Sequence, residues 1–598
     1  MSNMSVRLLP ASFVPAAIRR HVKCDETPIA CKNCHSAGWK CDGYDENRLP
    51  HLSGGSCTNK NITATIIRSE PSFSLHLNTT PLPGGNSNER RGFVYFQFWT
   101  VPKMSSFFDT HLWHNLVLPM SHSERAVTHA VIALGALHED IEARGVPLSR
   151  AELTNHRQRF ALEQYTRALS LLSSHRHVND PKLRGVVLTC CLLFVMFELL
   201  RGLYDEAFVH LQQGLSLVKA FKEVDTQPQS PLVLESSKYI ETALSDAMMR
   251  LHLQSGFFGA DISDPQLTRS RIDDYQGFNS IIEAREELDI VFQPVSRFMD
   301  AVRQLASEPR PPDSNITRLD VTRMQVCLRI ELARYLHRLN RFESRMQKSL
   351  DRKSQRAIDL IRLHHKTFSL VLETYIDIED MTYDVHIDGF REMVLLSERI
   401  TNSFDERSDP NNNSSRPTFL LDMGILPPLL YVCLTSPCVY TRRQALRCLR
   451  AWPHREGPWD SNLVALMGTI TLQVEIEAEF KRLSTIKTIR KTKVSSVRDI
   501  TYIPPPSRII CVNMTMDDNQ KTAVLKYNTK ERGSGMPQLE RRVLVDELSP
   551  DVLVVFRRFQ TKRPRNRDKH RASEKSCLVR NPVPILKDML RYSIVRPS

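Results

Sequence analysis

A mainly α chain is predicted, on three observations. From about Gly92 the apolar residues recur at the spacing of one helix face, segment after segment, until about residue 495. Glycine is scarce, 21 in 598 residues, about half the usual share of roughly 7%. Alternation of apolar and polar residues is confined to the stretch past Lys493. A chain of this length builds two or more cores. It divides into an atypical N-terminus (1–18), a cysteine-dense module (19–45), a linker (46–91), a large domain of helical hairpins, α-α superhelix-like (92–495), and a small β-containing basic C-terminal extension (496–598).

The cysteine module comes first. Cys24, Cys31, Cys34 and Cys41 are spaced C-x6-C-x2-C-x6-C, whereas the other nine of the 13 cysteines are scattered over more than 500 residues. A secreted disulfide scaffold is not distributed in this way. Metal ligation fits better, because thiolates are soft anions suited to tetrahedral zinc and a two-residue gap such as Cys31 to Cys34 lets both sulfurs reach one ion.

The stretch from Arg19 to Tyr44 resembles the binuclear zinc-cluster DNA-binding domain of fungal transcription factors, in which C-x2-C-x6-C, a loop and a second C-x2-C-x6-C hold two zinc ions through six thiolates. Cys24, Cys31, Cys34 and Cys41 match the third to sixth of these. Arg20-His21-Val22-Lys23-Cys24-Asp25-Glu26 reads like the end of the family's first half. The first two cysteines fall where this sequence has Val14 and Ala17, and Pro28 stands one place early in the loop. Four thiolates cannot close two tetrahedral sites. Since structural zinc contributes on the order of 10 kcal/mol to folding such modules, the module as written is short of ligands. A single site closed by the four thiolates, or by some of them with His21 or His35, is the rescue. The match begins abruptly at Arg19, which suggests an upstream exon with the first cysteine pair. A signal or transit peptide is not expected, because Pro10 and Pro15 interrupt the apolar run. The resemblance implies zinc as cofactor, double-stranded DNA of CGG type as partner, and Arg19, Arg20 and Lys23 at the major groove.

Past Tyr44 a polar stretch, with Ser53-Gly54-Gly55-Ser56 and Pro81-Leu82-Pro83-Gly84-Gly85-Asn86, reads as the linker. It has no heptad pattern. A monomer and a dimer through the helical region both stay open. Ser121-His122-Ser123-Glu124 offers a capping box before a helix carrying Val127, Val131, Leu134 and Leu137. His129 and His138 on that helix read as core-edge or solvated histidines. The run Val186 to Phe197 reads as a buried helix, with Cys190 and Cys191 as packing residues, and falls short of the roughly 18 residues a membrane helix needs. Leu162, Tyr165, Leu169 and Leu172 are echoed 46 residues later by Phe208, Leu211, Leu215 and Val218, which suggests related helical hairpins. The charge-dense stretch from Ile316 to Glu406 reads as the surface of the array, with Arg338, Arg341 and Lys348 on a solvated face.

Leu426 to Phe480 contains an apolar run and Arg455-Glu456-Gly457-Pro458-Trp459-Asp460-Ser461, with Asp460 placed to cap the next helix. These residues, with Ser123 to Glu139 and Leu192 to Leu217, are similar to the fungal-specific regulatory region that accompanies zinc clusters, a likeness spanning about two thirds of the chain. Beyond it, Arg508 to Met516 and Thr522 to Tyr527 read as a hairpin around Asp517-Asp518-Asn519, with Arg541 to Val545 or Val552 to Phe556 as a further strand.

The formal charge is +14, and the tail from Asp551 carries 13 Lys or Arg against 4 Asp or Glu. Its densest run holds Lys562, Arg563, Arg565, Arg567, Lys569 and Arg571, and suits nuclear import, phosphate contact or a solvated tail. Lys487, Arg490, Lys491 and Lys493 form a second import candidate. G-x-G-x-x-G, G-x-x-x-x-G-K, G-x-S-x-G and H-E-x-x-H are missing, so no enzyme is expected. The leading expectation is a nuclear transcription regulator with transcription machinery or co-regulators as further partners and no membrane. The alternative is a regulatory or interaction protein, derived from such a factor, without specific DNA binding.

Overall fold

The computed structural model describes residues 85–108, 112–146, 155–174, 181–224, 231–255, 277–306, 316–346, 350–375, 382–404, 416–490, 496–516, 522–529 and 539–544. The chain forms two compact units, Met1–Arg90 with Arg407–Asn413, and Arg91–Glu406 with Ser414–Ser598. Of the first, residues 85–90 are described. There Glu89 N donates to Asn86 Oδ1 at 2.9 Å and Asn86 N to Glu89 Oε2 at 3.0 Å, a reciprocal cap that starts α1, Ser87–Tyr95. The described residues are mainly helical, with two small sheets.

In the second unit, α1 runs on into a π-helical turn, Phe96–Thr100. Helix α2, Arg125–Arg144, crosses it at Gly135, where an added Cβ would overlap the Gly92 carbonyl oxygen and lie 3.0 Å from Phe96 N. Two glycines therefore let two backbones touch. The capping box expected before α2 does not form. Ser121 lies inside the preceding helix, Leu118–Ser123, and its hydroxyl donates to the Leu118 carbonyl at 2.6 Å. Ser121 to Ser123 form the last turn of one helix, and Glu124 stands at the head of α2 with no side-chain cap bond, its carbonyl accepting from Thr128 N at 2.9 Å. Val127, Val131, Leu134 and Leu137 are buried as expected.

The two α2 histidines are structural. His129 Nδ1 lies 2.6 Å from Gln164 Oε1. His138 is buried, with Nδ1 at 2.9 Å from Thr100 Oγ1 and Nε2 at 3.3 Å from both Thr418 Oγ1 and Glu142 Oε1. Lys103 Nζ and Thr418 Oγ1 each approach Glu142 to 2.5 Å, so one carboxylate ties α2 to a segment some 270 residues away. Burial works against this carboxylate, but His138 and then Lys103 outweigh it and hold the group down at about 2. Among the described residues no three ligand-type side chains converge as a metal site.

Next come α3, His156–Ser174, α4, Pro181–Arg201, α5, Tyr204–Val224, and α6, Pro231–Ser255. The 46-residue echo is present, but small residues carry it. Ala161, Tyr165 and Ala168 are buried on α3, and Ala207, Leu211 and Gly214 stand at the same places on α5, whereas Leu169 is exposed. Gly214 is required by close approach, since a Cβ there would meet Met248 Sδ at 2.9 Å. Among the described residues one span, Leu183–Arg201, is long and apolar enough to cross a membrane, longer than the run read from sequence; 83% of it is buried inside the protein. Cys190 is fully buried, and burial pushes the Cys191 thiol up to about 11.

Helices α7, Ile281–Ala306, α8, Arg318–Met346, α9, Arg352–Thr374, and α10, Ile387–Asn402, follow. The expectation of a surface array is met by α8, whose Leu319 and Val326 are exposed, but α9 is core, with Ile358, Leu360 and Leu363 fully buried. Arg338 is not a solvated cation. It pairs with both Glu287 oxygens, at 2.5 and 2.8 Å, and its guanidinium lies 4.2 Å from the Phe278 ring centroid.

The last described part holds α11, Leu426–Thr435, α12, Val439–Ala451, and α13, Ser461–Arg490. A small sheet threads between them: β1, Phe419–Leu420, runs parallel to β2, Arg455–Glu456, which turns at Gly457 into antiparallel β3, Trp459–Asp460. Asp460 caps α13 as expected, its Oδ1 accepting from Asn462 N at 2.9 Å. The predicted hairpin is β4, Ile509–Met516, and β5, Thr522–Thr529, in antiparallel register, with β6, Leu539–Leu544, on the far side of β5. Val512, Met514, Ala523 and Leu525 turn inward and join the same hydrophobic core as the helices.

Gly135→Ala should lower the unfolding free energy of the full chain by about 1–3 kcal/mol, because backbone and not a mobile side chain blocks the methyl; urea unfolding with an unchanged midpoint would contradict the crossing. For Glu142→Gln the sign follows from the lowered carboxylate. Its stabilisation is fully present above the ordinary value near 4.5 and fades as pH falls toward about 2. The urea midpoints of wild type and Glu142→Gln should therefore differ at pH 7 and converge progressively below about pH 4.5.

Candidate functional site

The residues expected to bind zinc (Cys24, Cys31, Cys34, Cys41), to read DNA (Arg19, Arg20, Lys23) and to direct import (Lys562, Arg563, Arg565, Arg567, Lys569, Arg571) lie outside the described residues, as does the alternative strand Val552 to Phe556. Among the described residues, charged side chains from several segments meet around an open recess with room for only a few water molecules. Helix α6 supplies Arg250, Leu253 and Gln254, and α7 supplies Arg285, Leu288, Asp289 and Phe292. Ile361 and His364 come from α9, and Phe108, Asp422 and Met423 complete it. The helical contributors recur three, four and seven residues apart, so each helix turns one face to the space.

Local capping sets where these faces begin. Helix α7 starts at Ser280, whose hydroxyl accepts from Glu283 N at 3.0 Å while Glu283 Oε2 accepts from Asn279 N at 2.7 Å. Helix α9 starts at Asp351, which accepts from Ser354 N at 2.9 Å.

The cavity holds two cations and two carboxylates. Arg285 Nη2 donates to Asp422 Oδ1, its Nε stands 3.5 Å from Asp289 Oδ2, and its guanidinium lies 4.4 Å from the centroid of the Phe108 ring. Burial lowers Arg285, but Asp422 and Asp289 outweigh it and the group is raised. Burial raises Asp289 against the pull of Arg285 and Arg250. Arg250 is lowered by burial and then by Arg285, and stays charged at any physiological pH. His364 Nε2 lies 2.8 Å from the Gly424 carbonyl oxygen, which can only accept, so Nε2 carries the proton; burial lowers the ring's basicity and keeps it neutral.

The Asp422–Met423 wall is positioned by a buried carboxylate. Glu456, on β2, accepts from Gly424 N at 2.9 Å, Ile425 N at 2.8 Å and Leu426 N at 2.9 Å, the open donors at the start of α11. His454 Nε2 is 2.8 Å from Glu456 Oε1, and His454 Nδ1 is 2.7 Å from the Trp452 carbonyl oxygen. Beside them Arg455 pairs with Asp460 at 2.8 Å and donates to the Leu199 and Leu200 carbonyls, which end α4 just before Gly202 at φ 74°.

None of Arg250, Arg285, Asp289, His364 and Asp422 stood out in the sequence. They come from four segments, and each sits in a charge-bearing stretch of ordinary composition. The nearest signal was Arg455-Glu456-Gly457-Pro458-Trp459-Asp460, whose polar residues support the cavity from behind.

Residues 93–376 match the family described as fungal specific transcription factor domain. The match ends before Leu426 to Phe480, so it covers less of the chain than the two thirds expected from sequence. The transcription regulator lscL of Purpureocillium lilacinum is 25% identical over 224 residues, which are 35% of this chain and 49% of that protein. The aspercryptin biosynthesis cluster-specific transcription regulator atnN of Emericella nidulans is 27% identical over 216 residues, 33% of each chain. The aligned part thus spans about half of one relative and a third of the other. No solved structure matches the chain.

Glu456→Gln should cost about 3–5 kcal/mol of unfolding free energy, since it leaves the start of α11 and His454 without their charged acceptor in a place closed to water. Urea unfolding of the full chain measures it, and a loss below about 1 kcal/mol would show that another group takes over the cap.

Proposed function

We propose that this chain is a fungal transcription regulator that acts in the nucleus, binds CGG-type double-stranded DNA through a zinc cluster, and uses its helical region for regulation and not for catalysis. The observation that carries the reading is the match of residues 93–376 to the fungal specific transcription factor domain, in a chain that also places Cys24, Cys31, Cys34 and Cys41 at the spacing of a zinc cluster. The two relatives are both named as transcription regulators, which supports the same class.

The chemistry would divide by distance from the metal. Zinc on thiolates holds a short segment rigid, so that Lys23, with Arg19 and Arg20, can reach guanine O6 and N7 at little ordering cost. Basic groups farther out, including Lys562, Arg563, Arg565, Arg567, Lys569 and Arg571, would meet phosphate or an import receptor. Transcription machinery or co-regulators would be the protein partners of the helical surface.

A second reading rests on Val14 and Ala17, which stand where the first two thiolates of a complete cluster belong. On that reading the chain regulates through its helical surface without reading DNA. Native mass spectrometry and DNA titration of the full chain separate the two. The leading reading expects at least one zinc per chain and a preference for a CGG-containing duplex over a scrambled one. Lys23→Ala should cut that preference by about 1–3 kcal/mol, and each lost phosphate contact should flatten the salt dependence by about 0.9 log units per decade. A zinc-free chain with equal affinity for both duplexes would overturn it in favour of the second.

A further inference from the structure

Helix α8 is apolar on two sides. Val321, Leu328, Leu332, Tyr335, Leu339 and Phe342 are buried on its inner side, where it packs against α7 and α9. On the outer side Leu319 is 59% exposed, Val326 48% and Ile330 47%, and Ala333 is exposed one turn further on. The four stand at offsets 0, 7, 11 and 14. At 3.6 residues per turn they fall within about 60° of one another and span about 21 Å. Exposed apolar residues scattered singly are ordinary, whereas a stripe at heptad spacing is what one helix offers another.

The rim of this stripe is basic. Arg323, Arg334 and Arg341 are exposed along one edge. Arg329 is exposed along the other, 3.8 Å from Glu373 of α9. The three acids of α8 do not offset them on the outer face. Asp320 accepts from Thr317 N at 3.0 Å at the helix start, Glu343 pairs with Arg362, and Glu331 is half-buried.

Charge on the rim selects the occupant. A second copy of α8 is disfavoured in both directions. An antiparallel pair sets like edges together, so Arg323, Arg334 and Arg341 of both copies meet, and a parallel pair sets that edge against Arg329. A lipid surface fits less well, because the stripe is about one residue wide, holds no aromatic side chain, and belongs to a helix whose inner side is fixed in the core. A helix with leucine-like residues on one face and carboxylates on both sides of it meets the stripe and the rim together.

We propose that the outer face of α8 is a docking surface for an acidic amphipathic helix of about four turns, its apolar side chains on Leu319, Val326, Ile330 and Ala333 and its carboxylates toward Arg323, Arg334, Arg341 and Arg329. This deepens the reading that the helical surface takes protein partners and rests on that part of it. Zinc and DNA are tested with other probes, so either reading can fail alone.

The test uses the full chain and three capped, labelled three-heptad peptides: one with leucine at a and d and glutamate at e and g, one with lysine in place of glutamate, and a scramble of the first. Fluorescence anisotropy reads binding, and peptide mass spectrometry reads the N-ethylmaleimide labelling of Cys327, which is exposed beside Val326. The acidic helix should bind about tenfold or more tightly than the other two, weaken with added salt, and slow the labelling of Cys327. Val326→Gln with Ile330→Gln should weaken it by about tenfold. Arg323→Glu with Arg334→Glu should move the preference to the lysine helix, and Arg391→Ala, at an exposed pair on α10, should change nothing. If a double variant does not fold, the three peptides and the Cys327 labelling decide without it. The proposal is overturned if the acidic and lysine helices bind alike, if neither slows Cys327 labelling, or if binding survives the glutamine pair. It is also overturned if sedimentation shows a dimer that the glutamine pair dissociates, or if phosphatidylserine vesicles protect Cys327 and the acidic helix does not.

Discussion

A helix buried along its whole length has no water for its end groups, and α11 is such a helix: all ten of its residues are buried. Its ends are satisfied by charge from elsewhere. At the start, Glu456 takes three backbone N–H groups; at the end, Arg442 donates to the Leu434 and Ser436 carbonyls and pairs with Glu475. Both charges have the sign that the helix dipole favours at their end. Glu475 in turn accepts from Ile509 N at 2.8 Å and so anchors the first strand of the C-terminal sheet. One apolar helix therefore obliges β2, α12, α13 and β4 to meet around it.

The cavity inherits this arrangement through a single residue. Gly424 donates its N–H to Glu456 and accepts from His364 at its carbonyl, so the cap of α11 and the cavity wall share one backbone position. A Cβ there would overlap the Glu456 carboxylate, which makes glycine a steric requirement. Arg455 extends the same logic to α4, whose last carbonyls it covers. Buried charges of this kind add little net stability compared with apolar packing, but each is costly to strand alone, so they fix which elements neighbour which.

Much of the fold was legible in order along the chain. The helical class, the buried helix around Cys190 and Cys191, the Asp460 cap and the β4–β5 hairpin each follow from local periodicity or local chemistry, which one segment carries within itself. The failures have a common cause. Ser121 to Glu124 has the composition of a capping box, but whether it heads one helix or ends another depends on the neighbouring turn. Arg338 reads as solvated in the sequence because nothing near it along the chain shows Glu287 and Phe278 coming to it. The 46-residue echo was real at Ala161 and Ala207, yet the large residues hid the small ones that make the contact.

The sequence by itself determined the succession of helices and strands, the cysteine spacing and the basic tail, because these are properties of residues near one another in the chain. Only the tertiary structure decided which charges face each other. Arg250, Arg285, His364 and Asp422 acquire their roles across separations of tens to more than a hundred residues. The energy of a buried charge depends on what surrounds it in space, and periodicity carries no record of that.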